Sequence, residues 1–434
     1  LALQAGVVMT GGEIHVRGGR GGEISYMIDG ISVTDPYNSG LAVEIENNAI
    51  QELQFISGTF NAEYGQAMSG IVNIVTKDGD YSDYSGNFSK SFGGYNSGNT
   101  DIFSQIDRID FNNISDIKGN VEGPIIPGKL SFFASGRFKR ENGYLYGQRI
   151  FHPNSFVWSE VENIWKIDSL GNGDILSETD TLKPVLDSLR AADAFDWVAM
   201  DWHEQVTGQA KFSWRMTPYI KISYNRMYSD TKSQDYSHEY RWNPDGRSNS
   251  FNTRIGDLIR ADWSISQSTF ANVMYSRTEN HYRSHLSTDP EFWEQIEENW
   301  DDKYFSTFDS VLYYVDPDIF LYSTGNNFYV GGQSMGVYSR KSIVNTLKAE
   351  ITNQINKEHQ LKIGIESRKT NITLSDLQVH YSSNTNYQPR YFAPMRTPNN
   401  NSFGPNGRTP VELSGYFQDK IEQDQMVVNL GVRF

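Results

Sequence analysis

Gly11-Gly12-Glu13-Ile14-His15-Val16-Arg17-Gly18-Gly19-Arg20-Gly21-Gly22 runs at once into Ile24-Ser25-Tyr26-Met27-Ile28-Asp29-Gly30-Ile31-Ser32-Val33. The block closes with Glu63-Tyr64-Gly65-Gln66-Ala67-Met68-Ser69-Gly70-Ile71-Val72-Asn73-Ile74-Val75-Thr76-Lys77. Two short apolar runs flank Asp29-Gly30, a pair suited to a two-residue hairpin turn because both positions need positive φ. Residues 41–53 carry Leu41, Val43, Ile45, Ile50 and Leu53, which predicts a short helical piece leading into a strand over Leu53–Ser57. Short strands and dense glycine make residues 1–80 a small α+β unit.

From residue 81 the texture changes to long alternating strands. Val206, Gly208, Ala210, Phe212, Trp214 and Met216 fall on one face; Thr207, Gln209, Lys211, Ser213 and Arg215 fall on the other. The same split recurs in Leu130–Lys139, Leu361–Ile365, Val411–Gln418 and Met426–Phe434. Several runs exceed the usual length of a strand in a soluble sandwich and match what a tilted membrane strand needs. Tight connections at 126–129, 216–219, 266–268, 356–359 and 422–425 alternate with long polar segments near 94–108, 148–203, 238–250, 286–340 and 378–409. Such sorting is expected when one rim carries short turns and the other long loops.

Bulk composition sets limits. The 434 residues contain no apolar run long enough for a membrane helix, whereas a β-barrel dilutes its hydropathy by alternation. Cysteine is absent, which excludes disulfides and thiolate sites. A net charge of −15 argues against nucleic acid as a partner. Gly18–Gly22 lacks the Gly-Lys-Ser/Thr and the helix of a phosphate-binding loop. No Gly-x-Ser-x-Gly or similar catalytic grouping is present, and neither an enzyme nor a cofactor is expected. His281 and His285 are the one close histidine pair; the ordinary reading is two loop-proximal residues, not a metal site. Within the long segments, Leu182, Val185, Leu186 and Leu189 have helical spacing, and Asp289-Pro290 begins like a capped helix.

The N-terminal block resembles the plug domain of TonB-dependent outer-membrane receptors. Arg17-Gly18, the strand Tyr26–Gly30 ending in Asp-Gly, the stretch Phe55–Gly65 leading to Tyr-Gly, and the closing strand Gly70–Lys77 match the family's elements in order. A Bacteroidetes-like branch looks nearest. The resemblance implies a transmembrane antiparallel β-barrel of about 22 strands when complete, with roughly 11 in this chain, around an N-terminal α+β plug. Residues 1–80 would be an N-terminally truncated plug, and 81–434 the N-terminal half of a C-terminally truncated barrel.

The same resemblance implies localisation in the outer membrane of a Gram-negative bacterium. It implies active import of an extracellular ligand, powered by a TonB-type inner-membrane complex through a segment upstream of Leu1. A glycan, peptide or metal chelate would suit, and a surface lipoprotein lid is one partner such importers allow. The alternative is a plugged-barrel surface protein with an adhesin or assembly role and no import; a soluble glycan-binding β-protein is a third reading.

By family analogy the plug apices would touch ligand: Arg20 and Glu23 in one loop, Asp35, Tyr37 and Asn38 in the next. A plug must also block a wide lumen through rearrangeable polar contacts. Arg17, Asp29 and Lys77 are candidates for these on the plug, with Arg20 also in reach; Lys211, Arg215, Lys362 and Glu412 are candidates on the wall. For each, the alternative is a solvated strand residue.

Overall fold

The computed structural model describes residues 6–10, 13–58, 60–151, 196–286, 336–380, 407–423 and 425–434, with short pieces at 156–159, 164–168, 175–176, 304–305, 329, 334 and 390–392. Its N-terminal unit begins with an antiparallel pair, β1 (Val7–Thr10) and β2 (Glu13–Val16), in which Val7 faces Val16. A four-stranded mixed sheet follows: β3 (Ile24–Ile28), β4 (Ile31–Ser32), β5 (Ile50–Ile56) and β6 (Gly70–Thr76), in the order β4-β3-β6-β5. The central pair β3 and β6 is parallel, from Ile24 opposite Gly70 to Ile28 opposite Ile74. Asp29 (φ 49°) and Gly30 (φ 90°) make the left-handed turn that joins β3 to β4.

The helical piece expected over 41–53 does not form. One 3₁₀ turn, Asn47–Ala49, stands before β5, and the chain ahead of it is irregular. Leu41, Val43 and Ile45 recur at every second residue, which is the period of extended chain and not of a helix. Val43 is buried, and Leu41 and Ile45 pack against the same core. That core joins Val16, Ile24, Ile28, Ile31, Val33, Val72 and Ile74 to three residues from outside the unit, Met227, Leu258 and Met274.

Those three belong to a long antiparallel sheet. Its long strands are β7 (Ser85–Gly93), β8 (Ile114–Ile126), β9 (Leu130–Asn142), β10 (Trp202–Thr217), β11 (Ile220–Gln234), β12 (Asn249–Ser264), β13 (Thr269–His285), β14 (Gly336–Gln354), β15 (His359–His380), β16 (Val411–Gln423) and β17 (Met426–Arg433), and the short pieces Arg390–Phe392 and Tyr304–Phe305 extend it beside β15. Each long strand pairs with its neighbours in sequence, so the eleven run up and down in order. Short connections at 127–129, 218–219, 265–268, 355–358 and 424–425 alternate with long ones at 94–113, 143–201, 235–248, 286–335 and 381–410. The helical spacing at 182–189 and the segment after Asp289 lie outside the described residues; of the stretch near them, Trp197–Ala199 is a short strand.

Burial along this sheet is inverted relative to a soluble protein. On β10, Val206, Phe212, Trp214 and Met216 are 42–52% exposed, whereas Thr207, Gln209, Lys211 and Ser213 are 0–6% exposed. Ile259 and Trp263 on β12 and Ile363 and Ile365 on β15 are likewise exposed, while Ser276, Thr278 and Asn280 on β13 are buried. The apolar face is turned outward and the polar face against the N-terminal unit. That is the arrangement of a wall with lipid outside and a plug inside. Residues of the unit meet the polar face of strands from β8 to β17, so the sheet curves around it.

Candidate functional site

Where plug and wall meet, hydrogen bonds and ion pairs form a polar seam beside the apolar cluster that Met227, Leu258 and Met274 join. At the turn-bearing end, Asp29 accepts from Thr76 at its backbone N (2.8 Å) and its hydroxyl (2.7 Å). The pair is thereby fixed across the β3–β6 sheet. Lys211 enters from β10 and donates to Asp29 Oδ2 (3.2 Å), Thr76 Oγ1 (2.8 Å) and Thr76 O (3.2 Å). Its ammonium also lies 2.8 Å from Asp78, which accepts from Ser213 and pairs with Lys221. Arg260 of β12 donates to the Asp29 carbonyl at 2.6 Å. A buried lysine is tolerable only when paired and saturated with acceptors, and these acceptors come from both bodies. Burial acts to raise the Asp78 carboxyl, but Lys211 and Lys221 beside it hold it below the usual carboxylate value.

Further round the wall, Glu44 of the plug accepts from Gln205 (2.6 Å) and Ser229 (3.2 Å) and faces Arg254 (3.4 Å). Glu46 faces Arg137 at 3.5 Å. On the far side Glu63 pairs with Lys362, and Gln66 bridges Arg368 and Glu412, the latter at 2.5 Å. A cavity of about 180 Å³ opens here between plug and wall, lined among others by Glu63, Gln66, Arg368 and Arg433. Tyr64 borders it, its hydroxyl pushed up to about 12 by burial and by the neighbouring Glu63 and Glu350.

At the end that carries the long connections, Thr34–Gly40 makes a compact loop. Asp35 is fully buried: it accepts from the Tyr37 backbone N (2.8 Å) and from Asn280 of β13 (2.5 Å). Asn38 caps its own loop by accepting from Gly40 N (3.0 Å). Both therefore hold the loop's shape. Tyr37 is half exposed, with the Arg340 guanidinium 4.5 Å from its ring centre and the Tyr338 hydroxyl 3.5 Å from its own. Glu23 uses its backbone carbonyl to receive Met68 and Ser69 (3.1 and 3.2 Å).

Of the seven seam residues named from sequence, Asp29 and Lys211 meet each other, and Lys362 and Glu412 meet Glu63 and Gln66 of the plug. Lys77 sits over the Phe133 ring of β9 (5.8 Å), and Arg215 stacks on Tyr81 just past the plug (3.7 Å). Arg17 is exposed at a left-handed turn (φ 50°) beside Gly6 and Gly58 of its own unit, and Arg20 is exposed as well. Glu44, Glu46, Glu63, Asp78, Arg254, Arg260, Asn280 and Arg340 were missed by sequence reasoning. The wall members all lie on the wet face of an alternating strand, which is the signal that could have found them. His281 bonds Ser339 (3.0 Å) and His285 stacks on Phe251 (4.7 Å), and the described residues hold no cluster suited to a metal.

Comparison with known proteins gives one direction. No family model matches the chain. A 126-residue segment, 28% of the chain, is 25% identical to the TonB-dependent transporter Oar of Myxococcus xanthus, of which it covers 12%. Among solved structures, the outer-membrane transporter YddB of Escherichia coli superposes with a TM-score of 0.55 at 10% identity, over 97% of this chain and 50% of that one. The ferric enterobactin receptor PfeA of Pseudomonas aeruginosa, in a variant form, gives 0.53 at 13% identity, over 99% of this chain and 53% of that one. The chain thus spans about half the length of the structures it matches.

Proposed function

We propose that the chain is a member of the TonB-dependent outer-membrane transporter family and that it forms the plug (residues 1–80) and half of the barrel wall (81–434) of an active importer. The family comprises transport proteins, not enzymes, of the Gram-negative outer membrane. The observation that carries the import reading is the chemistry of the seam. A plug welded to its wall by a dry apolar core would be a permanent stopper. Here most contacts are hydrogen bonds and ion pairs whose partners water can replace one at a time, so displacement costs little net free energy per contact. The apolar patch at Met227, Leu258 and Met274 is worth about 1.5–3 kcal/mol per side chain.

In this reading the long-connection end faces outward and receives an organic ligand: a glycan, a peptide or a metal chelate of the kind named for PfeA. A TonB-type complex supplies the work that shifts the plug, and a surface lipoprotein would close over the long connections. The ligand-facing positions would be Arg20, Glu23 and Tyr37, with Asp35 and Asn38 shaping the loop.

The test is purification of the full-length native protein from its own outer membrane, with mass spectrometry of what co-elutes. Uptake of that compound into cells is then measured with and without a protonophore. Uptake that stops when the inner membrane is de-energised supports import. A co-eluting surface lipoprotein points to glycan or peptide, and a small iron- or cobalt-bearing compound to a chelate. Surface binding that never becomes uptake would replace import with an adhesin role.

A further inference from the structure

Four lysine or arginine side chains are buried among the described residues: Lys211, Arg340, Lys348 and Arg368. Three have acceptors. Lys211 has Asp29, Asp78 and Thr76; Lys348 has Glu350 at 3.1 Å and the Gly30 carbonyl; Arg368 has Gln66 and the Thr34 carbonyl at 3.0 Å. Arg340 differs. It is 8% exposed, pairs with no carboxylate and makes no hydrogen bond among the described residues; its Nε is buried without a partner, as is that of Arg368. What surrounds it is aromatic: the Tyr37 ring at 4.5 Å and the Tyr282 ring at 6.0 Å, with Tyr338 two residues away on the same wet face. Ser342, two residues along that face in the other direction, buries an Oγ that also lacks a partner.

A guanidinium cannot shed its charge, so a buried one without a counter-ion is a standing cost. Ring faces offset only part of it. The group is also planar, with paired N–H donors matched to a carboxylate. It stands at the end of the wall that carries the long connections, against the plug loop whose tip, Tyr37, is half exposed. We propose that Arg340, flanked by Tyr37, Tyr282 and Tyr338, is the recognition point for a carboxylate on the ligand. This rests on the import reading for its biological sense but not for its chemistry. The carboxylate takes the two terminal nitrogens as a fork, the hydroxyls of Tyr37 and Tyr338 donate to its flank, and the free face of Tyr37 stacks on the ligand body. An acidic sugar, a peptide C-terminus and a polycarboxylate metal complex all present that group.

Binding of three carboxylate probes to the full-length native protein in detergent tests this by calorimetry: trigalacturonate, trialanine and ferric citrate. Their counterparts, neutral at the position of the carboxylate, are maltotriose, trialanine amide and a ferric trihydroxamate. One carboxylate probe is expected to bind with its neutral counterpart at least tenfold weaker, and which probe binds identifies the source. Arg340→Gln is expected to weaken it roughly 10- to 100-fold, the worth of a charge-assisted hydrogen-bond pair. Arg340→Lys should recover only part, and Tyr37→Phe most, of the wild-type affinity. Heat-modifiable migration on a gel verifies that each variant keeps a folded barrel. Equal binding by Arg340→Gln, equal binding of neutral and charged probes, or binding of none of them overturns the assignment. Energised uptake that ignores Arg340→Gln would defeat this inference and leave import standing. Arg340-dependent binding without energised uptake would do the reverse.

Discussion

Asp78 ties the chain's exit from the plug to the wall through Lys211 and Lys221, and its titration has a definite sign. Burial opposes ionisation, yet the two ammonium groups hold its pKa below the ordinary 3.8. A carboxyl depressed on folding stabilises the folded form above its ordinary value, and the contribution is lost as pH falls through the lowered one. Plug docking is therefore expected to hold from neutral pH down to the ordinary carboxylate value and to loosen only below it. Limited proteolysis of the linker around residue 78 across that range checks this. In Asp78→Asn the linker should already be more accessible at neutral pH, and the acid step should shrink. The neighbouring Lys211 gives a second expectation. Lys211→Met leaves Asp29 buried without its cation, a loss of about 3–5 kcal/mol by analogy with other broken buried pairs. The double variant Lys211→Met/Asp29→Asn should recover much of it, because asparagine also accepts the left-handed backbone that Asp29 adopts. Urea titration of plug protection measures both.

Among the elements, β12 shows how closely the wall follows the plug. Gly256 lies on its wet face, and a Cβ there would stand 2.8 Å from Val43 Cγ1 and 3.0 Å from Met227 Cε. Gly256→Leu is expected to push the plug off this strand while β12 keeps its pairing. Barrel folding assayed by heat-modifiable migration should survive, while plug protease resistance falls. The strands themselves were legible because alternation has a strict period of two: Thr207, Gln209, Lys211 and Ser213 could be assigned one common face before that face was known to be buried. The Asp29-Gly30 turn was legible for the same local reason. Over 41–45 the period is also two, but Ile50 and Leu53 break it, and the mixed pattern over 41–53 points to a helix that does not form. The partner of each wet-face residue was not legible. Glu44 meets Gln205 and Arg254, 161 and 210 positions away, only because the wall curves. The exposed Arg17 shows the converse, a charged residue in a recognisable motif that faces its own unit.

For the molecule as a whole, the inverted burial fixes which solvent each face expects. Phe212→Arg on the outer face is expected to cost about 2–4 kcal/mol near the bilayer midplane, read from the urea midpoint for folding into vesicles. The same change made near a rim should cost about 1 kcal/mol or less. The strand order of the plug also has a mechanical consequence. A load entering at Val7 peels β1 from β2 in zipper fashion, because Val7 and Val16 sit side by side at the loaded end and the pairs break one after another. Once β2 is drawn straight, tension reaches the start of β3, while β6 is anchored to the wall at its opposite end by Thr76 and Asp78. Parallel strands pulled from opposite ends bear the strain on all their hydrogen bonds together. The plug is thus a soft fuse in series with a stiff clamp, and under rising tension it should yield in two steps.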